Sequence, residues 1–199
     1  MEILTMCCIG HRPLNGACDI ANPDRQQIRE QLYLIIKRAH INKGFTTFIS
    51  GMAPGFDTDF ALCIIQLRLE MKGGVFLIAA VPFKDQEKAW KKQDQEIYQD
   101  LINQSDSVIE VCEPGFADWK YQARNIFMID NSDHVLAFWN GSEGEISLAI
   151  HYSIYARKPI LNLLKVPMKK DNKKKKNTIL KPIEENLRIF QEHMDIIIS

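Results

Sequence analysis

The chain has no excess of charge of either sign. Lys+Arg and Asp+Glu number 25 each in 199 residues. That balance argues against the basic field of a nucleic-acid-coating protein and against an acidic, solvating tail. Long apolar runs are also missing. None approaches the ~18 residues a membrane-spanning helix needs, so no membrane association is expected. The first residues lack a charged leader, a long apolar stretch and a small-residue cleavage site, and do not read as a signal peptide. Cysteine is sparse and unpatterned: Cys7, Cys8, Cys18, Cys63 and Cys112, with no CxxC pair. These read as reduced, buried thiols of a cytoplasmic protein, with no metal site. The familiar catalytic signatures are missing too: HExxH, GxSxG, the Walker A lysine pattern and a paired-carboxylate motif. No GxGxxG follows the first apolar run, which argues against an ordinary NAD enzyme. No cofactor is expected, and no internal repeat is visible.

What is present is an alternation of short apolar runs with helical periodicity, in a chain that is 46% hydrophobic. Strands are predicted at 4–9, 46–50, 75–81, 107–112, 134–139 and 159–164. The third, "VFLIAAV", is nearly all apolar and reads as a central strand covered on both faces. Helices are predicted at about 23–43, 56–72, 86–103, 118–131 and 145–156. Asn22 caps the first, Pro23 suits its first turn, and Gly44 suits its end. Ile28, Leu32, Ile35 and Ala39 mark its inward face. Strands alternating with helices imply an α/β, Rossmann-like, three-layer fold with a mostly parallel sheet of about six strands. This domain is expected over residues 1–165. Residues 166–178 belong to a lysine-rich loop, and 179–199 read as a C-terminal helix packed on the domain.

In an open parallel sheet, ligands bind beyond the carboxyl ends of the strands. The first such end carries Gly10, His11 and Arg12. The second carries "SGMAPGFD", with Ser50, Gly51, Gly55 and Asp57. The third carries Pro82 and Phe83, with Trp90 further on. The fifth carries Asn140, Gly141, Gly144 and Glu145. Glycines at strand-to-helix turns let backbone approach a ligand, and amides at helix starts favour phosphate. Arg12 suits bidentate phosphate binding, and His11 a phosphate or sugar contact. Asp57, Asn140 and Glu145 suit ribose hydroxyls or base amines; turn geometry and helix-start charge are their structural alternatives. Arg124 and Asn125 sit on the helix before strand five, with Arg124 in reach of the same edge. Trp90 and Trp119 are the tryptophans placed to stack on a base. Asp130 and Asp133 read as local caps or pairs.

"GHRP" (10–13), "SGMAPGFD" (50–57), "PFKDQEKAW" (82–90) and "ARNIFMIDNSDHVLAFWNG" (123–141) together resemble the SLOG superfamily of Rossmann-like proteins. Within it the chain resembles the YpsA-like family of bacterial and phage origin, over about residues 4–164. "SGMAPGFD" is similar to the SGxAxGID stretch of DprA, the DNA-processing protein. "RNIFMIDNSDHVLAFWNGSEG" is similar to the LOG phosphoribohydrolase segment in which an Arg precedes a Ser-Asp strand and a PGGxGT loop. The resemblance implies a nucleotide-shaped crevice and a ligand role for Arg124. It also implies a homo-oligomer. LOG enzymes carry a glutamate pair just after the glycine loop; here Glu145 replaces the loop Thr and Ser147 falls at the glutamate position. Cleaving an N-glycosidic bond needs a carboxylate near the ribose.

The leading expectation is therefore a protein that binds a nucleotide or nucleotide-derived signalling molecule, in a phage setting as a sponge for a host immune signal. The first alternative is a nucleoside 5'-monophosphate N-glycosidase, with Glu145 or Asp57 as catalyst. The second is single-stranded DNA binding of the DprA kind, against which the neutral charge argues.

Overall fold

Residues 6–9 of the first strand are all buried. Consecutive side chains of a strand point to opposite faces, so such a run needs cover on both sides. In the computed structural model, which describes residues 3–11 and 23–164, helices supply that cover. The order is β1 (Leu4–Gly10), α1 (Pro23–Lys43), β2 (Phe45–Ser50), α2 (Phe56–Met71), β3 (Phe76–Val81), a 3-10 turn (Gln86–Ala89), α3 (Lys92–Gln104), β4 (Ser107–Glu110), α4 (Asp118–Asp130), β5 (His134–Phe138), α5 (Glu145–Tyr155) and β6 (Ile160–Asn162). The six strands form one sheet in the order β4-β3-β2-β1-β5-β6, and every pairing is parallel.

The helices divide between the faces. α1 packs on α2 and α2 on α3, whereas α4 packs on α5. The two adjacent cysteines report the division. The Cys8 thiol donates to Asp57 Oδ1 of α2 at 3.7 Å, and the Cys7 sulfur accepts from Ser132 Oγ, just past α4, at 3.2 Å. Both are free and buried, as are Cys63 and Cys112. Burial pushes the Cys7 thiol up to about 12. The result is a three-layer α/β/α fold, Rossmann-like as predicted.

Two sequence expectations about these elements need correction. β3 is not central but second from an edge, and Phe76 at its start is exposed. Its apolar run reflects cover by α2 and α4, not a middle position. The stretch 86–103 is not one helix. Asp85 adopts a left-handed φ of 65°, a short 3-10 turn follows, and Trp90 is extended before α3 begins. The inward face of α1 holds Leu32, fully buried, with Ile35 and Ala39 packed against the core as expected, and Ile36, also fully buried, joins them. Gly44 ends α1 as expected, with φ 77° and its N–H on the His40 carbonyl at 3.1 Å. Asp133 accepts from the Thr5 N–H at 2.8 Å and Asp130 from the Tyr152 hydroxyl at 2.8 Å, so both pair with residues distant in the chain rather than locally. Arg12, Cys18, Asn22, the lysine-rich loop and the C-terminal segment lie outside the described residues.

The deepest packing joins β2 to α2, where the fully buried rings of Phe48 and Phe60 meet edge to face at 6.1 Å. Replacing Phe60 with Ala leaves a ring-sized void and should cost about 3–5 kcal/mol. Urea unfolding checks this; a midpoint unchanged from wild type would show that α2 is not anchored there.

Candidate functional site

β1 leads to α1 in one layer, while its neighbour β5 leads to α5 in the other. A crevice opens where adjacent strands send their connections to opposite sides. Here it measures about 400 Å³. Gly10 lines it from the end of β1 and His11 from just past it, Pro54 from the β2–α2 turn and Asp57 from the first turn of α2. Tyr121, Arg124 and Asn125 line it from α4, and residues 142–146 from the turn into α5.

Its floor is an ion pair. Arg124 Nη1 donates to Asp57 Oδ2 at 3.2 Å, with both side chains 8% exposed. The pair reaches across the end of the sheet, joining α2 of one layer to α4 of the other. The room for it comes from a missing side chain: a Cβ on Gly51 would stand 1.5 Å from Arg124 Nη1 and 2.6 Å from Asp57 Oδ2. Ser50, fully buried, fastens the turn beside it. Its hydroxyl donates to the Asp57 carbonyl at 2.9 Å and accepts from the Met52 N–H at 3.2 Å. Arg124 Nε, also buried, has no hydrogen-bond partner among the described residues. An unpaired buried donor is costly, and the cost disappears when an acceptor arrives.

The turns on either side are shaped by glycine. Gly55 precedes α2 with φ 109°, and Gly144 precedes α5 with φ 137°, conformations that suit glycine and not a side chain. The Ser147 hydroxyl bonds back to Gly144, accepting from its N–H at 3.1 Å and donating to its carbonyl at 2.8 Å. Gly10 serves close packing instead, since a Cβ there would meet the Phe56 ring at 2.3 Å. Phe56 stacks in turn on Phe138, centroids 5.3 Å apart.

His11 lies at the mouth, its Nε2 3.5 Å from Ser142 Oγ. Desolvation lowers its pKa from 6.5, against an opposing hydrogen bond with Asn140. It is therefore a neutral hydrogen-bonding group at pH 7 and not a second cation. Asn140 is a loop staple: its Oδ1 accepts from the Ser142 N–H at 3.0 Å, and Trp139 Nε1 donates to the Ser142 carbonyl at 2.8 Å. Glu145, exposed in the first turn of α5, lines the crevice, as does the neighbouring Glu143.

Not every predicted residue converges. Gly10, His11, Asp57, Arg124, Asn125, Gly144 and Glu145 do. Ser50, Gly51 and Gly55 support the turn behind the crevice, and Asn140 and Gly141 shape its rim. Pro82, Phe83 and Trp90 are not among its lining. The strand that leads to Pro82 and Phe83, β3, lies two places from β1, and Trp90 packs edge-on against Tyr98 at 5.4 Å. Asp57 is already engaged by Arg124 and Cys8, so its first task is to hold the guanidinium rather than to read a ligand.

Sequence reasoning missed Tyr121, one helical turn before Arg124 and legible as its i−3 neighbour. It also missed the clamp behind the β2–α2 turn. Arg25 Nε meets Asp59 Oδ2 at 2.8 Å, Arg29 Nη1 meets Asp59 Oδ1 at 3.3 Å, and Arg25 Nη2 donates to the Gly55 carbonyl at 3.2 Å. Burial raises the Asp59 pKa, and the two arginines act against that rise. No short-range pattern links residues 25 and 59.

The chain is similar to known proteins in three ways. Residues 6–158 match the model of the YpsA family, described as the YspA SLOG family. The SPbeta prophage-derived protein YoqJ of Bacillus subtilis (strain 168) is 29% identical over 143 residues, covering 66% of this chain and 83% of that protein. A UPF0398 protein of Bacillus pumilus is 32% identical over 65 residues, 32% of this chain and 35% of its own. Among solved structures, DNA processing protein A (DprA) from Streptococcus pneumoniae superposes with a TM-score of 0.60 at 15% identity, over 84% of this chain and 52% of that one. DprA from Helicobacter pylori, studied for its single-stranded DNA binding mode, gives 0.53 at 18% identity, over 96% and 80%. These last two likenesses are of fold.

Two outcomes test this geometry. Gly51→Ala should push Arg124 off Asp57 and cost about 1–3 kcal/mol in urea unfolding, the usual penalty of overpacking; an unchanged midpoint would mean the pair moves freely. The second concerns His11. A base whose folded pKa lies below its unfolded value binds fewer protons when folded, so stability rises with pH through the window just below 6.5. His11→Gln should flatten that part of the stability–pH curve, and an identical slope in the variant would assign it to another group.

Proposed function

The chain belongs to the YpsA SLOG family, and from that premise we propose that its crevice binds a nucleotide or a nucleotide-derived small molecule. The observation that carries this reading is Arg124. It is a buried guanidinium lining the crevice, held in place by Asp57, with an Nε that has no partner among the described residues. A phosphate supplies what such a group needs, in the planar fork that arginine matches best. The amino ends of α2 and α5 border the same space, and the partial positive charge of each favours an anion. A crevice of about 400 Å³ is within the range of small-molecule sites.

The charge on the walls narrows the ligand. Among the described residues, one guanidinium faces three carboxylates: Asp57, Glu143 and Glu145. Asp57 is spent on Arg124. Glu143 and Glu145 remain to accept hydrogen bonds from ribose hydroxyls or a base amine. A single phosphate on a sugar suits this balance better than a polyphosphate. Kinship with a prophage-derived protein supports sequestration of such a molecule as the biological role.

Glu145 also supports a second reading, cleavage of the N-glycosidic bond of a nucleoside monophosphate. Water would add to C1' as the bond to the base breaks, with Glu145 taking the water proton and the departing base gaining one.

One experiment separates the readings. The purified protein is incubated with a panel of nucleoside monophosphates and cyclic nucleotides, and the bound and free small molecules are read by mass spectrometry. Recovery of an intact nucleotide is the expected result. Free base with ribose 5-phosphate, lost in Glu145→Gln, would replace binding by hydrolysis. Retention of none of the panel, together with a salt-sensitive shift on a single-stranded oligonucleotide, would overturn both in favour of strand binding. In the expected case Arg124→Lys, which keeps the charge but loses the fork, should weaken binding by about 10–100-fold in calorimetry, the worth of one charge-assisted hydrogen bond.

A further inference from the structure

Beside the crevice, outside the glycine turns, stands a ring triad that the phosphate and ribose contacts leave unused. Tyr121 lines the crevice wall. Its ring lies 5.8 Å from that of Phe83 and 6.4 Å from that of Phe116, and Phe83 and Phe116 meet at 6.2 Å and 90°. Phe83 is buried, but Phe116 is 71% exposed. A lone exposed phenylalanine is ordinary on a protein surface. This one is held in place. Lys120 is buried and spends its ammonium on the loop that presents Phe116. Its Nζ donates to the carbonyls of Glu113 at 2.9 Å and Gly115 at 3.0 Å, and pairs with Glu113 Oε1 at 3.0 Å. The same ammonium lies 5.9 Å from the centroid of the Phe83 ring. Burying a lysine is costly, and the result here is a surface loop fixed against α4 with Phe116 left exposed.

Resting on the nucleotide reading above, we propose that Phe116 and Tyr121 form the base subsite of the crevice: a stacking platform for the planar base of a ligand whose phosphate lies on Arg124. The two parts lie on the same helix and its leading loop. Arg124 follows Tyr121 by three residues, so the platform and the cation share one helix face. Stacking tolerates any base, because every base has a π-face. The platform therefore selects for the presence of a base and not for its identity, and discrimination among bases falls to hydrogen-bonding groups such as Glu143.

The test is calorimetric binding of AMP, GMP, CMP and UMP, and of ribose 5-phosphate, to the full chain and to Phe116→Ala, Phe116→Leu and Phe116→Trp. The high exposure of Phe116 makes these variants safe for folding. Wild type should bind the mononucleotides more tightly than ribose 5-phosphate. Phe116→Ala and Phe116→Leu should weaken the mononucleotides by about tenfold, the worth of one stacked base, and leave ribose 5-phosphate unchanged. Phe116→Trp should retain affinity. Equal weakening of mononucleotides and ribose 5-phosphate, or no weakening at all, would overturn the platform and leave the nucleotide reading standing. So would wild-type affinity for ribose 5-phosphate equal to that for the nucleotides. Binding of no mononucleotide by wild type would remove both.

Discussion

The buried pair of Asp57 and Arg124 is the constraint on which the site depends. Two charges withdrawn from water lose several kcal/mol of hydration each, and their attraction offsets this only in good geometry with further hydrogen bonds. The surrounding residues fit that requirement. Gly51 leaves the space, Ser50 holds the Asp57 carbonyl, and the Cys8 thiol donates to the second carboxylate oxygen. The pair also does mechanical work. It ties α2 to α4 over the end of the sheet, where no strand pairing joins the two helical layers. Arg124 nevertheless keeps a buried Nε without a partner among the described residues. On the proposed reading, that incompletely bonded donor is left for a ligand.

The rest of the crevice is built to be stiff. Phe56 fills the space over Gly10 and stacks on Phe138, so the ends of β1 and β5 are locked together on either side of the opening. Arg25 and Arg29 brace the start of α2 through Asp59. Lys120 braces the loop before α4. Three buried or half-buried cations thus hold the walls, while Arg124 alone among the described cations lines the space between them. Charge that is spent on architecture in this way is unavailable to a long anionic strand.

Much of this was legible in the chain. The six strands, the parallel α/β alternation and the glycine turns after strands two and five all follow from local periodicity and turn chemistry. So does the convergence of Gly10, His11, Asp57, Arg124, Gly144 and Glu145, because strand ends in a parallel sheet share one edge. The misplacement of Phe83 and Trp90 has a physical cause. All strand ends share that edge, but the crevice opens only at the switch between β1 and β5, and β3 lies two places away.

The amino-acid sequence by itself determined the fold class, its family resemblance and the edge on which the site would lie, because hydrophobic period and glycine placement are local properties of the chain. Only the tertiary structure decided what each side chain does there. It turned Asp57 from a ligand reader into the partner of Arg124, Asn140 into a loop staple, and Ser50 into a turn fastener. It also brought Arg25 to Asp59, and Phe116 to Tyr121 and Phe83. Those assignments depend on strand order and on distances between residues far apart in the chain, which no local pattern encodes.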